Sequence, residues 1–182
     1  MLFTELALKG AYVVDLEKRE DSRGFFARTY CRREFEEHGL ATQMPQTNVS
    51  FSRKQGTLRG MHYQEAPYEE AKLVRCARGA IYDVIVDLRP NSATFKKWFG
   101  VRLTEENHRM LYVPEGFAHG FISLADDTEV NYQVSQFYAP GHERGLRYDD
   151  PSIGIRWPSD VSEISEKDEA WPAFNPLVSE NS

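Results

Sequence analysis

QTNVSFSRKQGTLRGMHYQ, Gln46 to Gln64, is the stretch on which the fold turns. Two short runs, TNVSF and LRGMHYQ, mix β-branched, aromatic and polar residues and are separated by a glycine-bearing turn. That pattern predicts two strands bordering a polar pocket. Working outward, the same pattern recurs: KLVRCAR, AIYDVIVDL, KWFGVRL, RMLYVP, FISL and EVNYQVSQFY are each bounded by Gly, Pro, Asn or Asp. A regular succession of short strands predicts an antiparallel sandwich or barrel, and the lack of βαβ alternation disfavours a Rossmann sheet.

Upstream, AYVVDL alternates, EKREDSRG reads as a turn pivoting on Gly24, and FFARTY resumes as a strand, so a hairpin is expected. CRREFEEHGL predicts a short peripheral helix with Phe35 and Leu40 on its apolar side and Gly39 ending it. Downstream, Asp149 to Phe174 is punctuated by proline and predicts about one helical turn that packs back on the barrel. The closing residues, 175–182, are expected to be a flexible tail.

The 182 residues suffice for one well-buried domain, expected over 1–182. With 41% hydrophobic and 27% charged residues the chain reads as globular throughout. A formal net charge of -6 argues against a nucleic-acid partner, yet a few local arginines can still hold an anionic ligand. The two cysteines, Cys31 and Cys76, suggest no disulfide framework, and Cys76 in LVRCA reads as a buried, inert thiol. There is no secretory leader pattern and no apolar stretch of the roughly 20 residues that a bilayer requires, so a cytoplasmic protein with no membrane partner is expected.

Strand parity sorts the candidate functional residues. In AIYDVIVDL, Asp83 shares a face with Ile81 and Ile85; it is read equally as a satisfied core carboxylate or as part of a site. Tyr132 shares the parity of Val130 and Val134 and should point inward with its hydroxyl. His62 shares the parity of Leu58, Gly60 and Gln64, whereas Arg59 has the opposite parity. For both to serve one cavity, a bulge at Gly60 is required. His119, in PEGFAHGF, lies between aromatics and glycines; His38, His108 and His142 lie in charged stretches and read as surface residues. Metal-binding barrels of the cupin type place two histidines one residue apart, a pair missing here, so no metal site is expected.

Taken together, DSRGFF (Asp21–Phe26), QTN, LRGMHYQ, KLVR, YDVIVDLR, PEGFAHGF, FYAPGHERG, YDDPSIGIRWP and SEKD (Ser165–Asp168) resemble the dTDP-4-dehydrorhamnose 3,5-epimerase family nearly end to end. The resemblance implies a mainly β, cupin-type antiparallel jelly-roll barrel with a few short peripheral helices. It also implies an isomerase that needs no cofactor and works as a homodimer with an exchanged N-terminal strand. Carried over by motif, His62 is the general base, Tyr132 the opposing acid, Asp168 the partner of His62, and Lys72 the cation at the sugar's C4 oxygen. Arg23, Phe26 and Arg59 match diphosphate and nucleotide contacts, as do Gln46, Thr47 and Asn48. His119, Tyr138, Glu143 and Lys167 match further substrate contacts, with Tyr138 stacking on the base. The expected ligand is a nucleotide sugar, with thymidine as the default base.

Two departures lie on the nucleotide side: Arg28 stands where the family usually has glutamate, and one extra residue lies between QTN and Gly56. An acid-to-base change there bears on the choice of base. The resemblance implies inversion of C3, C5 or both, and the nearest alternative is a single-centre epimerase acting on a different nucleotide-linked 4-ketosugar; two further classes compete: a non-catalytic sugar-nucleotide binder on the same barrel, and a metal-dependent cupin enzyme. Retention of His62, Tyr132 and Lys72 weighs against the first, and the missing histidine pair against the second.

Overall fold

A computed structural model describes residues 1–174. In chain order its elements are β1 (Leu2–Glu5), β2 (Tyr12–Asp15), β3 (Arg19–Asp21), β4 (Gly24–Phe26), α1 (Arg32–Glu37), β5 (Gln46–Ser52), β6 (Leu58–Gln64) and β7 (Lys72–Arg78). There follow β8 (Ala80–Asp87), β9 (Trp98–Thr104), β10 (Met110–Val113), β11 (Phe117–Ser123), β12 (Thr128–Val134), β13 (Glu143–Gly145) and α2 (Glu166–Glu169). The proposed tail, 175–182, lies outside the described residues.

Two antiparallel sheets face one another. One has six strands in the order β1-β2-β10-β7-β12-β5, the other five in the order β13-β6-β11-β8-β9. Their non-consecutive neighbours give the crossed connections of a jelly roll. Alternation drives the layering: Val74, Cys76, Leu111, Val113 and Val130 of the first sheet meet Ile81, Ile85, Leu103, Phe117 and Phe121 of the second in a buried core. Each of these side chains other than Cys76 contributes roughly 1.5–3 kcal/mol by leaving water. The thiol of Cys76 is pushed up to about 11 by this burial, so it is inert as expected, and both cysteines are free.

The other face of the six-stranded sheet is partly covered by α1. Phe35 is fully buried there, its ring edge-on to Phe3, Tyr30 and Tyr112 at centroid distances of 5.5, 4.8 and 5.9 Å. Gly39, at φ +68°, ends the helix as predicted: its N–H donates to Glu36 O and that of Leu40 to Phe35 O, the two bonds of a Schellman turn.

Several boundaries differ from the sequence expectation. AYVVDL does not pair with FFARTY; β2 lies between β1 and β10, and the small hairpin pairs β3, inside the segment read as a turn, with β4, which takes in only the Phe25 and Phe26 that open FFARTY. Asp21 Oδ1 accepts from the Arg23 N–H at 2.8 Å and Gly24 takes φ +128°, so the turn is tighter than the sequence suggests. FISL is only the end of β11, which begins at Phe117, and SQFY leaves the sheet after Val134. His108 and His142 are half-buried against Phe25 and Tyr68, at 4.9 and 4.4 Å between ring centroids, and are not simple surface residues. Among the described residues no helix is long and apolar enough to cross a membrane.

Candidate active site

Between the two sheets opens a cavity of about 830 Å³, whose lining includes Arg59, His62, Lys72, His119, Tyr132 and Asp168. His62 and His119 lie directly opposite each other on the paired strands β6 and β11; Lys72 and Tyr132 come from β7 and β12 of the facing sheet.

His62 and Arg59 reach the same cavity because β6 bulges. The register passes from His119 opposite His62 to Phe121 opposite Arg59, two steps on one strand against three on the other. Gly60 makes this possible. It has φ +126°, and a Cβ there would stand 2.6 Å from Gly120 Cα.

Each histidine is backed by a carboxylate. His62 Nε2 lies 2.6 Å from Asp168 Oδ1, and the other oxygen of Asp168 accepts from the Gly60 N–H at 3.1 Å. His119 Nε2 lies 2.7 Å from Asp83 Oδ1 in the core. An ionised carboxylate only accepts, so in each neutral ring Nε2 carries the hydrogen and Nδ1 keeps its lone pair. Burial pushes the Asp168 carboxyl up, but the hydrogen bond and charge of His62, the Gly60 N–H and Ser165 hold it below the ordinary carboxylate value. Ser165 is also the N-cap of α2, its hydroxyl accepting from the Asp168 N–H, which fixes Asp168 at the cavity wall.

Tyr132 packs against the core beside Val130 and Val134, as parity predicts. Burial raises its phenol above the ordinary value, with Glu70 and Glu143 acting in the same direction and Arg59 against them. It is therefore a protonated donor at neutral pH. Lys72 pairs with Glu70, His62 with Asp168, His119 with Asp83 and Lys167 with Glu143. Among the described residues Arg59 makes no ion pair; its guanidinium is steadied by Ser52 Oγ at 3.3 Å and Phe51 O at 2.8 Å. It is thus a cation with spare charge for an anion.

The other sequence-predicted residues divide. Gln46 and Asn48 share the face of Ser50, which lines the cavity, and Gln46 Oε1 accepts from the Tyr138 N–H at 2.7 Å. Thr47 has the opposite parity and points to the exposed face of β5, away from the cavity. Tyr138 stands exposed on the loop beyond β12, and Glu143 meets the cavity through Lys167. Arg23 and Phe26 do not enter this cavity: both are exposed on the β3–β4 hairpin, where Arg23 pairs with Asp21. Arg28 also lies outside it, held by Glu34 at 3.0 Å.

Sequence reasoning does not bring out Ser162, Glu163 and Ser165, which line the cavity from the irregular segment before α2. It weighs Asp83 without finding its partner. Among the described residues no three His, Cys, Asp or Glu side chains converge as metal ligands.

A jelly roll of the cupin type, carrying two carboxylate-backed histidines opposite a half-buried tyrosine and a buried lysine, defines the class of proton-transferring barrel enzymes. The dTDP-4-dehydrorhamnose 3,5-epimerase family model matches residues 5–176, and the chain belongs to that family. A dTDP-4-dehydrorhamnose 3,5-epimerase of Methanothermobacter thermautotrophicus is 46% identical over 173 residues, 93% of this chain and 92% of that one. The crystal structure of the Elizabethkingia anophelis enzyme of the same name superposes with a TM-score of 0.93 at 40% identity, covering 96% of each chain. A Legionella pneumophila dTDP-6-deoxy-D-glucose-3,5-epimerase, solved in complex with dTDP-4-keto-L-rhamnose, has a TM-score of 0.87 at 35% identity over 93% of this chain and 90% of that one.

Proposed function

We propose that this chain inverts C3 and C5 of a dTDP-4-dehydro-6-deoxyhexose, forming the L-configured keto sugar. The observation that carries the reading is the arrangement across the cavity: His62 on one sheet, backed by Asp168 of α2, and Tyr132 with Lys72 on the other sheet. Inversion needs a base on one face of the sugar and an acid on the opposite face.

A hydrogen on C3 or C5 is acidified by the C4 ketone, and its removal leaves an enolate. His62 Nδ1 takes the proton as the C–H bond breaks, and the Lys72 ammonium stabilises the negative charge gathering on the C4 oxygen. The Tyr132 hydroxyl then delivers a proton to the other face of the same carbon, and solvent exchange restores both groups. No electron is gained or lost. Asp168 holds the His62 tautomer and balances the imidazolium, and Asp83 does the same for His119 beside the sugar. Arg59 takes the diphosphate in a planar fork. Gln46, Asn48 and the ring of Tyr138 serve the nucleotide, with Glu143 and Lys167 at the rim.

The working unit is a homodimer. Arg23 and Phe26 reach a bound nucleotide from a neighbouring copy, which supplies its β3–β4 hairpin. Supporting this, Phe26, Val49 and Phe51 are 68%, 63% and 44% exposed, and the last two lie on β5, an edge strand of the six-stranded sheet.

The test is incubation with dTDP-4-dehydro-6-deoxy-D-glucose in deuterated water, followed by NMR. Deuterium at both C3 and C5 with inversion is expected; label at one carbon reduces the reading to a single-centre epimerase. A folded protein that exchanges neither position overturns it.

A further inference from the structure

Lys72 does not enter the cavity unsupported. Its ammonium lies 3.1 Å from Glu70 Oε1, with the two side chains only 9% and 13% exposed. The other Glu70 oxygen accepts from Gln64 Nε2 at 3.3 Å. Gln64 is itself buried and fully engaged, bonding the carbonyls of Tyr68 and Phe137 at 3.0 and 3.2 Å and the Ala139 N–H at 2.7 Å. The carboxylate is thereby met from behind by a side chain locked to two stretches of backbone, at Tyr68 and at Phe137–Ala139, with the two hydrogens of Nε2 shared among three acceptors. Glu70 does not line the cavity, so whatever it does for the reaction it does through Lys72 and through its charge.

We propose that Glu70 is a positioning residue for the epimerisation: its carboxylate holds the Lys72 ammonium aimed into the cavity. The inference rests on the roles given above to Lys72 and Tyr132. A lysine has a long, rotatable stem and a strongly hydrated head, so a nearly buried one without a carboxylate either sheds its proton or swings out to water. Both outcomes remove the cation from the place where the enolate charge develops.

Tyr132 shares its surroundings with Lys72 of β7, Arg59 and His62 of β6, His119 of β11, Glu143 of β13, and Lys167 and Asp168 of α2. Among the charged groups that act on it, Glu70 and Glu143 push its phenol up and Arg59 pulls it down. Glu70→Gln should therefore bring deprotonation of the acid to lower pH. The amide also presents one NH₂ edge, which meets a donor whether it turns to Lys72 or to Gln64.

The experiment compares steady-state kinetics and pH profiles of Glu70→Gln, Glu70→Asp, Lys72→Ala and Tyr132→Phe, with thermal melting to confirm folding. Glu70→Gln is expected to lower kcat roughly tenfold with KM within about twofold, and to move the alkaline limb of kcat/KM to lower pH. Glu70→Asp, which keeps the charge but is one methylene short, should restore the alkaline limb without restoring kcat. Wild-type or faster turnover in Glu70→Gln, with the limb unmoved and Lys72→Ala inactive, overturns the role of Glu70 alone. Undiminished turnover in both Lys72→Ala and Tyr132→Phe instead removes the site reading on which it rests.

Discussion

At the scale of single residues the proposed mechanism separates groups that act on carbon from groups that hold the ligand. In the proposed mechanism His62, which lies 2.6 Å from Asp168, contributes to the transition state and little to ground-state affinity. In the same proposal Arg59, whose charge no carboxylate neutralises among the described residues, contributes chiefly to binding. His62→Ala should thus lose at least roughly 10³-fold in kcat while binding dTDP within a few-fold of wild type. Arg59→Ala should raise the dissociation constant for dTDP roughly tenfold or more while keeping measurable turnover at saturation. Calorimetry with dTDP alongside the NMR assay reads both; a His62→Ala protein as active as wild type removes the mechanism.

At the scale of elements, legibility follows from what each strand touches. The strands β7, β8 and β12 announce themselves by alternation because one face of each is core, and Tyr132 is placed by the same rule. Alternation also exposes the need for a bulge at Gly60, since Arg59 and His62 otherwise face apart. The strands β3, β4 and β13 carry no apolar alternation: β3 and β4 are wholly exposed, and β13 merely extends the edge of β6. The pairing of Asp83 with His119 depends on the register of β11 against β8, 36 residues apart in sequence, which no local pattern encodes. The end of β8 carries a prediction of its own. Asp87 is buried and accepts from Arg89 Nε and Nη2, Ser92 Oγ and Thr94 Oγ1 at 2.6–2.9 Å. Burial pushes this carboxyl up, but those donors prevail and hold it down, from 3.8 to about 2. A carboxyl depressed in the folded state stabilises fully above 3.8 and loses that contribution as pH falls toward about 2. Asp87→Asn should accordingly flatten the acid decline of the melting temperature across that window, whatever it does at neutral pH; an unchanged slope refutes the assignment.

At the scale of the whole molecule, the proposed dimer reconciles the nucleotide contact that the resemblance implies for Arg23 and Phe26 with their place outside their own cavity. A Val49→Lys/Phe51→Lys double variant, altered on the exposed side of the β5 edge strand, should halve the mass seen by light scattering. Activity should fall with it while the fold persists by circular dichroism. A dimer of unchanged mass means that the two copies meet elsewhere. The pairing of His62 with Asp168 spans 106 residues of chain, from an early barrel strand to a helical turn near the end of the described structure. During translation the histidine leaves the ribosome long before its carboxylate exists. In the proposed mechanism the nascent barrel is therefore catalytically silent until the late segment docks, and a protease nick before Ser165 should silence the mature enzyme while leaving its sheets intact.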